Sequence, residues 1–355
     1  MDELVYLKGR PELRAVLKRE FVDFRVDEEL GFTLEGKGEH LWLQIRKTDL
    51  TTTDVAKRLA VACQIAPKFV GYSGMKDRRG ECTQWFSVPL VPEQESRLAG
   101  AEDSSLQLLT VARNSKKLKI GTHKSNHFRI RLRDCEGDKE CYEQRLKDIK
   151  LSGVPNYFGS QRFGRNMSNM AQVDQLMAQA LAPNADTAIL RGQMGKVKRG
   201  MMFSAARAYV FNQLLSSRIE DGTWSKYCPG DVLNLDATSR FFALKAGEEW
   251  TTQLQNRLDT FDIHITGPLA GIKESKDRYA SHGEAADMEE VVFKKFALLV
   301  DGLRQFNLIA ARRSLRFMPI NLQWCWREPK DLELEFQLPR GAYATSLLRE
   351  ICLTD

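Results

Sequence analysis

The chain has 355 residues, 43% of them apolar and 28% charged, with a formal net charge of +6. That length predicts two domains with packed cores, and no run approaches the ~18 apolar residues a membrane span needs. The start, Met-Asp-Glu-Leu-Val-Tyr, lacks the cationic and apolar segments of a signal peptide, and the seven cysteines form no C-x-x-C pair, so a cytoplasmic protein with reduced thiols is expected.

Lys18, within Val16-Leu-Lys-Arg-Glu20, reads by itself as an ordinary surface lysine, and Phe24 follows in Asp23-Phe-Arg-Val-Asp-Glu28. Thr51 to Ile65 predicts a helix, because hydroxyls can cap its start and Val55, Leu59, Ala62 and Cys63 recur at helical spacing. The next stretch, Gly71-Tyr-Ser-Gly-Met-Lys-Asp-Arg-Arg-Gly-Glu-Cys-Thr-Gln-Trp85, sets Asp77 between Lys76 and the pair Arg78 and Arg79. Three cations around one acid favour its charged form. Gly71, Gly74 and Gly80 permit backbone angles and close approaches that other residues resist. Such a loop suits an enzyme that binds a polyanion and attacks it with a carboxylate; it also fits a charged surface turn. Thr83 to Val88 reads as a strand leaving the loop, so Asp77 lies between regular elements, where reacting groups are often found.

Further on, His127-Phe-Arg-Ile-Arg-Leu-Arg133 alternates strictly, with Phe128, Ile130 and Leu132 on one side, the pattern of a strand with one buried face. On an extended chain His123 and His127 stand ~13 Å apart, too far to share one ion. No metal is therefore expected, and no phosphate-gripping Walker loop or G-x-S-x-G, H-E-x-x-H or G-x-G-x-x-G motif occurs in a fitting context.

The positive charge is clumped. Four windows carry no acid: Ser104 to Arg133, with Lys116, Lys117, Lys119 and Lys124; Leu151 to Val173, with Arg162 and Arg165; Thr187 to Ile219, with Lys196, Lys198 and Arg199; and Gly302 to Arg327. Acids gather elsewhere, as at Glu284 to Glu290. A basic surface on a nearly neutral protein fits nucleic acid, where neutralised phosphates supply much of the affinity. Met167 to Ile309 reads as mostly helical, most clearly at Met201 to Ile219 and Glu284 to Leu303. A strand returns at Glu333 to Leu338, then a turn at Pro339-Arg-Gly341 and a final helix. Both ends of the chain can thus build one domain with another inserted between them.

Five segments in order resemble the TruD family of pseudouridine synthases acting on tRNA. Gly74-Met-Lys-Asp77 with Gln84-Trp85 is similar to its G-x-K-D…Q-W loop, and Gly38-Glu-His-Leu41 to its G-E-G-E-H segment. Lys116-Lys-Leu-Lys-Ile-Gly121 with Lys124-Ser-Asn-His-Phe128 resembles R-K-L-R-L-G…K-G-N-x-F. Gly153-Val-Pro-Asn-Tyr-Phe-Gly159 with Gln161-Arg-Phe-Gly164 resembles G-V-P-N-Y-F-G-x-Q-R-F-G. Leu338-Pro-Arg-Gly-Ala-Tyr-Ala-Thr345 with Arg349-Glu350 is similar to the family's C-terminal segment. The chain departs at Gly80 and Cys82, where the family usually has Ala and Thr, and at Phe21-Val-Asp-Phe24, where it usually has P-E-D-F.

The resemblance implies an α+β fold: a pseudouridine-synthase-like catalytic domain with a mixed, mainly antiparallel sheet at 1–160 and 318–355. Between them, at 161–317, it implies an inserted, mostly helical α/β TRUD domain that clamps RNA. It implies isomerisation of a tRNA uridine, uridine-13 in the D-stem region, with Asp77 as nucleophile and Lys18 as its cationic partner. Phe128, Asn126, Phe24, Lys76 and Gln84 are then substrate-binding. Lys116, Lys117, Lys119, Lys124, Arg162, Arg165, Lys196, Lys198 and Arg199 are RNA-binding. No cofactor is implied, tRNA is the partner, and a monomer is expected. Asn156, Tyr157, Phe158 and Tyr343 fit either an RNA contact or a buried support. The alternatives from the residues alone are a non-catalytic RNA-binding or RNA-folding protein and a glycosylase that releases free uracil.

Overall fold

The computed structural model describes residues 4–164, 167–245, 247–272, 280–327 and 329–354. Arg165 lies outside them. Along the chain come β1 (Arg14–Leu17), β2 (Phe24–Glu29), β3 (His40–Thr48), α1 (Thr52–Ala62), β4 (Gly71–Tyr72), β5 (Glu81–Pro89), β6 (Leu106–Asn114), β7 (Ser125–Glu136), α2 (Lys139–Ser152) and β8 (Val154–Pro155). Next are α3 (Ser168–Ala180), α4 (Thr187–Gly192), α5 (Lys196–Glu220), β9 (Val232–Leu235), β10 (Phe241–Ala243), α6 (Thr252–Asp259), β11 (Ile263–Leu269), α7 (Gly283–Lys295) and α8 (Ala297–Gln305). The last are β12 (Ala311–Ser314), β13 (Arg316–Phe317), β14 (Ile320–Arg327), β15 (Asp331–Pro339), α9 (Ala344–Ile351) and β16 (Leu353–Thr354).

These elements form two compact units. One combines Glu12–Lys150, Pro319–Ala344 and Ile351–Asp355. The other combines Met1–Pro11, Leu151–Met318 and Thr345–Glu350. The first is built on a ten-stranded sheet with the order β14-β15-β7-β2-β5-β3-β6, and β1, β4 and β16 lie off that path. Most neighbours are antiparallel, while β2 with β5 and β1 with β16 are parallel. Period-two patterning explains which face is inside: Leu41, Leu43 and Ile45 of β3 pack with Phe86 and Val88 of β5. Val55 and Leu59 of α1 close over them. Thr51 caps α1 by accepting the Asp54 N–H at 3.1 Å, and the Asp54 carboxylate accepts the Thr51 N–H at 3.0 Å.

The second unit sets α3, α5, α7 and α8 around Val173, Met177, Ala206, Val210, Leu303 and Phe306. It also holds the four-stranded sheet β10-β9-β11-β12. The helical reading of Met167 to Ile309 missed β9, β10 and β11. At four and three residues, β9 and β10 are too short to show a period. The helix expected over Glu284 to Leu303 is broken at Phe296, whose backbone (φ −115°, ψ 36°) leaves the helical region. The Phe296 ring meets Tyr209 edge-on at 5.4 Å. In the same unit Asn156 and Tyr157 are buried. The Asn156 amide donates to the Ser314 carbonyl, and Ser346 Oγ donates to the Tyr157 carbonyl, so these two residues support a turn.

Candidate active site

Strand register gathers the site. One row crosses five strands of the first unit: Lys47 of β3 opposite Cys82 of β5, then Val26 of β2, Phe128 of β7 and Phe336 of β15. Beside it, Glu28, Asn126 and Leu338 form another row. Phe24, Val26 and Glu28 alternate inward along β2, as do Asn126, Phe128 and Ile130 along β7.

Asp77 lies on the loop from β4 to β5, its side chain 39% exposed, with Lys18 Nζ 3.5 Å from its Oδ2. Lys18 follows β1 with φ 58°, a left-handed conformation that costs a lysine energy and turns its side chain out of the strand's path. The same ammonium stands 3.9 Å from the centre of the Phe24 ring. Phe24 meets Phe128 edge-on at 6.1 Å, and Phe128 stacks on Phe336 at 5.4 Å with 21° between planes. Asp77, Lys18, Phe24 and Phe128 are therefore linked by contact. The departing residues before Phe24, Phe21 and Val22, are exposed, while Asp23, which keeps the family pattern, is buried and gripped by the Arg133 guanidinium through three hydrogen bonds that fix the entry of β2. Gly80 lets the two segments meet closely, since a Cβ there would lie 2.7 Å from the Phe24 carbonyl oxygen.

The cations next to Asp77 in sequence do not cradle it. Arg78 pairs with Asp49 at 3.0 Å on the surface. Lys76 turns inward and meets Glu28 at 2.6 Å, with both side chains buried. Burial pushes the Glu28 carboxyl up, against the pull of the Lys76 charge. Gln84, expected on the substrate with Lys76, is fully buried and holds the loop. Its amide donates to the Gly74 carbonyl at 2.6 Å and accepts from Thr52 Oγ1 at 2.9 Å. Thr52 Oγ1 in turn accepts the Lys76 N–H at 2.9 Å.

A second line of contacts runs from Ser73 to Asn126. Ser73 Oγ accepts the His123 main-chain N–H at 2.7 Å and lies 2.6 Å from His123 Nδ1. Either atom of the Ser73–His123 pair can be the donor, according to which ring nitrogen carries the proton. Burial, then the charges of Lys76 and Arg340, bring the His123 ring down to about 4, which keeps it neutral near pH 7. Nε2 faces the Asn126 amide at 3.4 Å, and the other end of that buried amide has no partner. It is the amide nitrogen that faces the ring, and the amide oxygen that is without a partner.

Among the expected RNA-binding residues, Lys116, Lys119 and Lys124 are exposed between β6 and β7. Lys117 donates to the Lys68 carbonyl at 2.6 Å. In the second unit Lys196 and Lys198 are exposed at the start of α5. Arg199 donates to the Arg191 carbonyl at 2.7 Å, and Arg162 to Ser204 Oγ at 3.1 Å. Glu28, Lys47, His123 and Phe336 escaped the sequence reading. Glu28 and Lys47 had a usable signal, being charged residues at inward positions of alternating strands; Phe336 also has inward parity in β15.

The family model for tRNA pseudouridine synthase D (TruD) matches residues 1–193 and 166–351. A curated relative from Nitrosococcus oceani named tRNA pseudouridine synthase D is 41% identical over 354 residues, covering 99% of this chain and 94% of the relative. One of the same name from Hydrogenovibrio crunogenus is 35% identical over 99% of this chain and 96% of its own. The fold is similar to a crystal structure from Methanosarcina mazei ascribed to tRNA pseudouridine synthase D, with a TM-score of 0.70 and 22% identity over 98% of this chain and 95% of that one.

Proposed function

The chain belongs to the tRNA pseudouridine synthase D (TruD) family, and from that premise we propose that it isomerises uridine-13, in the D-stem region of tRNA, to pseudouridine with Asp77 as nucleophile. The observation that carries this reading is the carboxylate of Asp77, open to solvent and met at 3.5 Å by Lys18. The target base leaves the helical stack, since its C1′ is otherwise out of reach. The Asp77 carboxylate attacks C1′, and the bond from C1′ to N1 breaks with its electron pair on the base. The base turns, C5 bonds to C1′, and the carboxylate leaves. C5 then gives up its proton and N1 gains one, so the product is an isomer and no redox cofactor is required.

The neighbouring side chains suit those steps. Phe128, with Phe24 and Phe336 around it, offers an aromatic wall, and stacking on such a ring contributes ~1–3 kcal/mol per base. The unpartnered end of the Asn126 amide offers a hydrogen bond to the polar edge of the uracil. Lys18 balances the carboxylate before and after it is covalently bound. In this reading 1–160 with 318–355 is the catalytic domain, 161–317 clamps RNA, and the exposed lysines of the β6–β7 segment and α5 meet phosphates. Lys76 and Gln84 act on the loop rather than on the base.

The test uses tRNA carrying uridine tritiated at C5, which loses the label when C5 becomes the glycosidic carbon. Asp77→Asn should bind this tRNA with wild-type Kd and release no tritium. Release at the wild-type rate removes Asp77 from the chemistry. A wild-type chain that binds but releases none favours the non-catalytic RNA-binding reading.

A further inference from the structure

Lys47 is fully buried. Its Nζ donates to the Leu50 carbonyl at 2.6 Å and to the Asp77 carbonyl at 2.7 Å, and among the described residues it makes no ion pair. An ammonium held in a core without a counterion costs several kcal/mol. A leucine or methionine would fill the same inward position of β3, where Leu41, Leu43 and Ile45 precede it, without that cost. The return must lie in what the ammonium touches. We infer that Lys47 is a positioning residue for the proposed nucleophile, fixing the main chain of Asp77 from beneath so that its carboxylate stays aimed at the sugar.

The surrounding geometry supports the role. The Lys47 ammonium ties the Asp77 carbonyl to the Leu50 carbonyl, just before the cap of α1. Thr52, in the first turn of that helix, holds the Lys76 N–H. The main-chain groups on either side of the Lys76–Asp77 peptide are thus anchored to the same start of α1. Cys82, where the family usually has Thr, adds a weaker contact, its Sγ 3.7 Å from the Asp77 carbonyl oxygen. Burial draws the Lys47 ammonium down, while the charge of Asp77 draws it up. A protein that keeps a cation in this position holds it by main-chain oxygens.

The inference rests on the proposed function. Its test compares Lys47→Met and Lys47→Gln with wild type and Asp77→Asn, well below each variant's Tm. Single-turnover tritium release and tRNA Kd are measured separately. A misplacement near 1 Å costs on the order of 100-fold in rate. Lys47→Met should therefore release tritium about 100-fold more slowly with unchanged Kd. Lys47→Gln keeps a donor within the same pocket and is better tolerated by the fold; it should recover part of that loss. Wild-type rates in either folded variant, or a loss confined to Kd, overturn the inference while leaving the function intact, provided Asp77→Asn is inactive. An active Asp77→Asn removes both.

Discussion

Replacing His123 by Gln tests the electrostatics of the site through its pH dependence. The His123 ring stands near 4 against an ordinary 6.5, because it is buried and because Lys76 and Arg340 oppose a further positive charge. The Glu28 carboxylate, 3.9 Å from Nδ1, does not reverse this, since Lys76 holds it at 2.6 Å. In the unfolded chain the ring takes up a proton near pH 6.5, whereas in the fold it waits until about 4. Unfolding therefore binds a proton between those limits. The fold keeps the full His123 contribution above pH 6.5 and loses it as pH falls toward 4. A shift of one pH unit corresponds to 1.36 kcal/mol, so integration gives about 2 kcal/mol lost between pH 7 and pH 5.

The direct assay is an NMR titration of the histidine ring protons, with the His123 signal identified by its absence from His123→Gln; the chain has five histidines. The His123 signal should stay at its neutral position down to pH 5. Urea unfolding of wild type and variant should then give a stability difference that shrinks by about 2 kcal/mol from pH 7 to pH 5. The level of stability at any one pH is uninformative, because the variant also loses the Ser73 bond; the slope isolates the titration. A His123 midpoint near 6.5 would refute the reasoning, and with it the neutral ring beside Asn126.

Glu28→Gln leaves the Lys76 ammonium buried without its partner and should destabilise the protein by about 3–5 kcal/mol; the double variant with Lys76→Met should recover more than half of that in urea unfolding. Phe336→Leu keeps a buried apolar side chain but removes the ring stacked on Phe128. It should cost about 0.5–1.5 kcal/mol beyond the change in buried area and lower kcat/KM about tenfold, as Phe128 loses its support.

Much of the first unit is legible in the sequence because its strands alternate. The Phe128, Ile130 and Leu132 face follows from spacing, and so does the α1 stripe of Val55 and Leu59. Asp77 is visible from its glycines, but its electrostatic setting is not. Counting charges along the chain surrounds it with Lys76, Arg78 and Arg79. The fold turns Lys76 inward to Glu28, sends Arg78 to Asp49, and brings Lys18 from 59 positions away. Sequence spacing cannot weigh these alternatives, because each depends on which strands lie side by side. The β9 and β10 strands stay hidden for a different reason: at four and three residues they carry too few positions to beat a helical background.

The polar residues at inward positions explain how an exposed loop can hold the proposed nucleophile in place. Glu28 of β2, Lys47 of β3, Thr52 of α1 and Gln84 of β5 are buried polar side chains from separate elements. Each ends on the stretch Gly74 to Asp77: Gln84 on the Gly74 carbonyl, Thr52 on the Lys76 N–H, Glu28 on the Lys76 ammonium, and Lys47 on the Asp77 carbonyl. A flexible loop carrying the same carboxylate would have to be ordered during each encounter, which costs about 1–2 kcal/mol per residue. Here the ordering is supplied at folding by groups whose burial the sheet and helix make possible. The carboxylate keeps its solvent access, since every anchor approaches from the protein side. Lys18, which must answer the charge of the carboxylate, comes instead from the left-handed residue after β1, so the anchoring of the loop and the balancing of its charge rest on separate side chains and can be separated by substitution.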